Sequence, residues 1–177
     1  MQSLTVRELL SNLTLSLKKV FRVHKVQYFL IDKDTIDQIR KDGAELKQVN
    51  HAHQSLYALV PDGVSKRDYR PSFCFSNMTD VTKMQAITGK SFAGPILNVQ
   101  HPDKVILICQ MEIRPGPGTN SFDESRDRRA FEIIGKVVSG ILERIFVNAR
   151  TSETHDRAYI ILKTCKYHCF ELFRQPC

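Results

Sequence analysis

Glycine and proline are scarce in this 177-residue chain, with 8 and 7 respectively, too few for a long flexible linker or a collagen-like repeat. No run approaches the roughly 18 consecutive apolar residues that a membrane-spanning helix needs. Internal repeats and low-complexity tracts are also missing. Cysteine is limited to five residues at irregular spacing (Cys74, Cys109, Cys165, Cys169 and Cys177). An odd count with no leading signal-peptide pattern points to free thiols and a reducing compartment. The expected location is cytoplasmic, with the nucleus or a ciliary or cytoskeletal setting also compatible.

What is present is ordinary for a folded domain: 42% hydrophobic and 25% charged residues. A chain of this size buries about two-thirds of its unfolded surface, so its core needs neither disulfide nor metal. The formal charge is +7, which attracts anionic partners at long range. The excess is spread along the chain and reads as solvated faces. Its densest group, Arg126, Arg128 and Arg129, is interrupted by Asp127. The aromatic and glycine signature of RNA-reading sheets is missing, so neither nucleic acid nor membrane is an expected partner.

Periodicity predicts a helix over residues 5–21, with Val6, Leu9, Leu10, Leu13, Leu17 and Phe21 on one face. Thr5 and Glu8 have the spacing of a capping box. Residues 26–31 read as a buried strand, 32–42 as a polar stretch of no clear type, and Gly43 as a turn. Short strands are expected at 45–49 and 55–60, and helical turns at 79–87. The strongest signal is a hairpin: Pro95–Val99, a turn at His101–Lys104, then Val105–Ile113. Ile106 and Ile108 are expected on one face of its second strand, and Leu107 and Cys109 on the other. The run VILIC is apolar at every position, as in a central strand covered on both sides. Arg114–Asn120 breaks that strand, and a long helix follows from about Asp123 to Asn148. The polar sequence TSETHD, 151–156, reads as a break before a last amphipathic helix.

The order of these elements, with certain residues, resembles a GAF domain, the small-molecule-sensing fold related to PAS domains. The likeness covers roughly residues 3–147. It is clearest at Gly94-Pro95-Ile96-Leu97, the turn, and Val105–Ile113, then at Phe122, Asp123, Glu124 and Asp127 before the closing helix. The resemblance implies an α+β fold, an antiparallel β-sheet flanked by N- and C-terminal α-helices. It divides the chain into a GAF-like domain at 1–150 and a helical extension at 151–177. Three departures argue against cyclic-nucleotide binding. Leu107 stands where many members have Gly, Arg114-Pro115 stands where binding members have Asn-Lys, and Phe122 precedes Asp127 by one residue too many.

By position in the family pattern, a ligand cavity would be walled by Phe73, Ser76, Asn77, Thr79, Asp80, Phe92 and Gly94. The bulk of Phe73 and Phe92 favours a cavity filled by side chains, hence a scaffold over a sensor. The extension carries an apolar stripe (Ile161, Leu162, Cys165, Leu172 and Phe173) that reads as an interface for a protein partner or a homodimer. In GAF-like domains the first and last helices share one face of the sheet.

Chemical alternatives are weaker. Cys165, His168 and Cys169 with Cys177 lack the separated second pair of a zinc site, and the first two cysteines fall on the helix stripe. Cys74 and Cys109 invite comparison with a GAF-like methionine sulfoxide reductase, yet Cys109 lies mid-strand and the surrounding segments do not match. His51 and His53 have no acidic or thiol neighbour at ligand spacing. The expectation is a non-catalytic domain with no cofactor and no metal.

Overall fold

The fold is taken from a computed structural model that describes residues 4–51, 54–74, 85–118 and 121–172, with residues 54, 85–88 and 161–172 as backbone only. It is α+β. In chain order come α1 (Val6–Phe21), β1 (Lys25–Leu30), α2 (Lys33–Lys41), β2 (Leu46–His51), β3 (Gln54–Leu59), β4 (Gln85–Thr88), β5 (Ser91–Leu97), β6 (Val105–Glu112) and α3 (Glu124–Leu172). Among the described residues the strands form one sheet in the order β2-β3-β1-β6-β5-β4. Every neighbouring pair is antiparallel.

α1 begins at the capping box: the Glu8 N–H donates to the Thr5 hydroxyl while the Glu8 carboxylate accepts from the Thr5 N–H. All six residues of its apolar face are buried. It ends at Arg22, whose φ of 55° reverses the chain. α2 was not legible as a helix because its buried face consists of little more than Thr35, Ile36 and Ile39. Its start is fixed by Asp32, which accepts hydrogen bonds from the Thr35 N–H (3.0 Å) and hydroxyl (2.8 Å). Lys104 from the β5–β6 turn adds an ion pair at 3.3 Å. Partial burial pushes the Asp32 carboxyl upward, but the Thr35 and Lys104 contacts outweigh it and hold the group below its usual range.

β6 lies between β1 and β5 and is buried at every position from Ile106 to Met111. The second strand of the hairpin is therefore central, and its first strand, β5, lies next to the edge. The expected facing fails at one residue. Ile96 pairs with Leu107 and Leu97 with Val105, so Ile106 is the extra residue of a bulge. Ile106 joins Leu107 and Cys109 in the main core, and Ile108 alone of the four faces the other way. Residues 85–87, read as helical, instead belong to β4, an edge strand paired with β5.

The main core lies on one face of the sheet, where α1, α2 and α3 all contribute buried residues. α1 and α3 do share this face. Phe92 sits at its centre, fully buried, with ring centroids 5.5 Å from Phe122 and 5.6 Å from Phe131. Ser139 is a buried polar residue of α3, and its hydroxyl donates to the Leu97 carbonyl. α3 starts at Asp123, whose carboxylate accepts the Arg126 N–H at 2.7 Å. It then runs for 49 residues without interruption, about 74 Å at 1.5 Å per residue. The sequence TSETHD, expected as a break, lies inside it. Among the described residues no helix is long and apolar enough to cross a membrane.

Candidate functional site

Strand alternation puts Lys25, Gln27 and Phe29 of β1 on the sheet face away from the helices, opposite Glu112, Gln110 and Ile108 of β6. Lys47, Val49 and His51 of β2 extend the same face. The chain after β3 crosses back over it and is held by polar side chains, among them Lys47, Gln110, Gln27 and Lys25, whose ammonium donates to the Ser72 hydroxyl at 3.4 Å. The Lys47 ammonium donates to the carbonyls of Tyr69 (2.6 Å) and Lys66 (3.1 Å). The Gln110 amide donates to the Ser72 carbonyl and accepts the Cys74 N–H, both at 3.0 Å. Gln27 donates to the Tyr69 hydroxyl at 3.3 Å.

Between these pins Phe73 lies edge-on to Phe29, with centroids 4.9 Å apart, and contacts His51 at 5.1 Å. Ala58, Ala93 and Ile108 complete a small second core. Two alanines leave room for the crossing aromatic, so this face is filled by the chain's own Phe73 and Tyr69.

The cysteines here are not set up as nucleophiles. Burial raises the Cys74 thiol, the Glu112 carboxylate raises it further, and Lys25 and Gln110 only partly oppose them. Cys109 is fully buried, and burial alone raises it strongly. Reactive thiols need the opposite environment, one that favours the thiolate.

A groove of about 340 Å³ opens where β1 and β3 part. The two strands pair only at Phe29–Leu30 with Tyr57–Ala58. Beyond that point the chain turns towards β2, and the Val60 N–H donates to the Glu45 carbonyl at 2.9 Å. The first half of β1 is left beside α1, and Leu10, Thr14, Lys18, Lys25, Gln27 and Tyr69 are among the groove's walls. Arg7 and Asp62, an ion pair, also line it. Gln27 is 3% exposed, and among the described residues its carbonyl oxygen has no hydrogen-bond partner. At the far end the Thr14 and Tyr28 hydroxyls lie 3.0 Å apart.

The residues assigned to a cavity wall do not converge. Phe73 lies on the second face, whereas Phe92 is in the helix-covered core. Gly94 pairs with Cys109 and shares the Phe92 face. Ser76, Asn77, Thr79 and Asp80 lie outside the described residues, as do His53, Phe173 and Cys177. Ile161, Leu162, Cys165, His168, Cys169 and Leu172 are placed in α3 by their backbone. No group of three metal-ligating side chains occurs among the described residues.

Sequence reasoning missed Gln27, Lys47 and Gln110. A signal existed for two of them: Gln27 interrupts an otherwise apolar strand, and Gln110 closes the run VILIC. A buried amide at such a position must find partners, here the backbone of the crossing segment. Comparison with protein-family models, curated proteins and solved structures gives no significant match to this chain.

Proposed function

We propose that the chain is a non-catalytic, GAF-like regulatory and interaction domain that works as a scaffold within a larger assembly. The observation that carries this reading is α3. Its first half packs on the sheet through Phe131, Val138 and Leu142. The same helix then continues beyond the body, with every residue from Thr151 to Ile160 exposed. Ten consecutive exposed residues on one helix leave a surface suited to meeting another chain. Filling of the second face by Phe73 and Tyr69 supports a scaffold over a sensor there. The raised thiols of Cys74 and Cys109 weigh against the reductase reading.

The second reading is a small-ligand sensor, and it rests on the groove beside β1. Its volume falls within the roughly 300–1,000 Å³ of small-molecule sites, and Gln27 offers it a buried acceptor. Lys18, together with Lys25, which also pairs with Glu112 at 3.5 Å, gives this wall a positive charge, which suits an anionic ligand bearing an N–H or O–H donor. Native mass spectrometry of the purified chain, beside a denatured control, separates the two readings. The scaffold reading expects the bare polypeptide mass in both spectra. A small molecule retained in the native spectrum and released on denaturation would replace it with the sensor.

A further inference from the structure

α3 carries two apolar stripes on opposite sides. The inner one faces the sheet and includes Phe131, Val138 and Leu142. Past Ala149 its line turns polar, at Ser152, Glu153 and Asp156, before it reaches Ile160, 62% exposed. The outer stripe begins within the body at Ile133 and Val137, 61% and 60% exposed, and continues at Val147, 58% exposed. Gly140 lies on the same line, and a side-chain carbon added there would meet nothing within 4 Å. Alternating steps of four and three residues carry the line on to Ala158, and in the sequence to Ile161, Cys165 and Leu172.

Such steps average 3.5 residues, the repeat that holds two supercoiled helices in register along a common seam. An amphipathic helix serving one domain needs only a single stripe, at 3.6. The outer line also includes Arg144, Thr151 and Thr154, with His168 near its end, so its apolar character is concentrated in two blocks separated by a polar centre. Polar residues within a seam are how paired helices select register and partner number.

We infer that the outer face of α3 pairs with the α3 of a second copy of this chain. Three observations favour a second copy over an unrelated partner. The stripe runs about 58 Å along the helix, and a second α3 matches it in length, block spacing and polar centre. A two-fold contact uses the same patch on both subunits and closes, so no further surface stays sticky. With its flanking positions the seam also offers about two dozen residues per copy, within the roughly 20–30 per side of a stable interface. The two domain bodies lie behind their own helices, away from the seam, because the sheet occupies the opposite side of α3.

This deepens the interaction reading by naming the partner, and it is tested apart from it. Light scattering on the full chain at micromolar concentration is expected to give about twice 20.3 kDa. The double variant Val137→Glu, Val147→Glu places two carboxylates on the seam at exposed sites and is expected to halve that mass. Its circular dichroism melt should remain cooperative, since neither side chain belongs to the core. Val99→Glu, an equally exposed apolar site (54%) in the β5–β6 turn, is expected to leave the dimer intact. A monomeric wild-type chain, a double variant that stays dimeric, or a Val99→Glu chain that dissociates would each overturn the inference. A monomer that carries no small molecule would still leave the scaffold reading open to a different partner.

Discussion

Gln110 is 1% exposed and makes two hydrogen bonds to a segment that has no regular structure of its own. Replacing it by Leu leaves the Ser72 carbonyl and the Cys74 N–H without their partner, and because both groups are only partly buried the loss should be about 1 kcal/mol. The segment from Tyr69 to Cys74 should then lift from Phe29. Labelling with a thiol reagent, mapped by mass spectrometry, should show Cys74 reacting faster in Gln110→Leu while Cys109 stays protected. An unchanged Cys74 rate would mean that Phe73 packing alone holds the segment. Asp32 gives a pH-dependent counterpart. Its carboxyl is held below the free value of about 3.9. The charged form is thus favoured by the fold, and its contribution is present above that pH and lost as pH falls through the folded value. Asp32→Ala should cost about 1 kcal/mol at neutral pH, as expected for loss of an N-cap. Urea titrations should show this difference shrinking below about pH 4. A difference that persists undiminished at pH 2 would remove the carboxylate from the explanation.

Among the elements, those with a strong period were legible. The six apolar positions of α1, its capping box, and the central hairpin follow directly from residue spacing. α2 was not legible, because two isoleucines and a threonine are too few to stand out against nine largely polar residues. The bulge at Ile106 was hidden as well. In a run of five apolar residues any register satisfies the pattern, and only pairing with Ile96 and Leu97 decides which side chain is the extra one. TSETHD misled for a different reason. Polar residues do not end a helix unless they include Gly or Pro or supply a competing cap, and none of these acts there. The candidate cavity was the least legible part. Its wall was drawn from family position, and strand alternation then put Phe73 and Phe92 on opposite faces. Between Thr151 and Ile160 every side chain of α3 is exposed, and the Lys41–Glu153 pair at 2.9 Å, both partners about half exposed, ties this stretch to the body. Exposed pairs contribute at most about 1 kcal/mol. A chain ending at Arg150 should therefore keep its denaturant midpoint within that margin and lose self-association. Unfolding of the shortened chain would place residues 151–172 in the core.

For the molecule as a whole, the question is what stabilises the outer half of α3. A helical segment of some twenty residues with few tertiary contacts is marginal in water, because nucleation is costly and each added hydrogen bond contributes little. It persists only if its apolar side is covered. Each copy carries a formal charge of +7, and two such copies repel at long range. Added salt screens that repulsion, which at 0.15 M extends about 8 Å. Pairing along α3 should consequently tighten as ionic strength rises, the reverse of binding to a polyanion. Amide hydrogen exchange over residues 151–172, measured across a range of protein concentrations, tests the pairing of α3 most directly. Protection there should climb with concentration and salt towards the level of residues 131–149, which pack on the sheet at any dilution. Exchange at the unstructured rate over 151–172 at every concentration, with 131–149 protected, would contradict it.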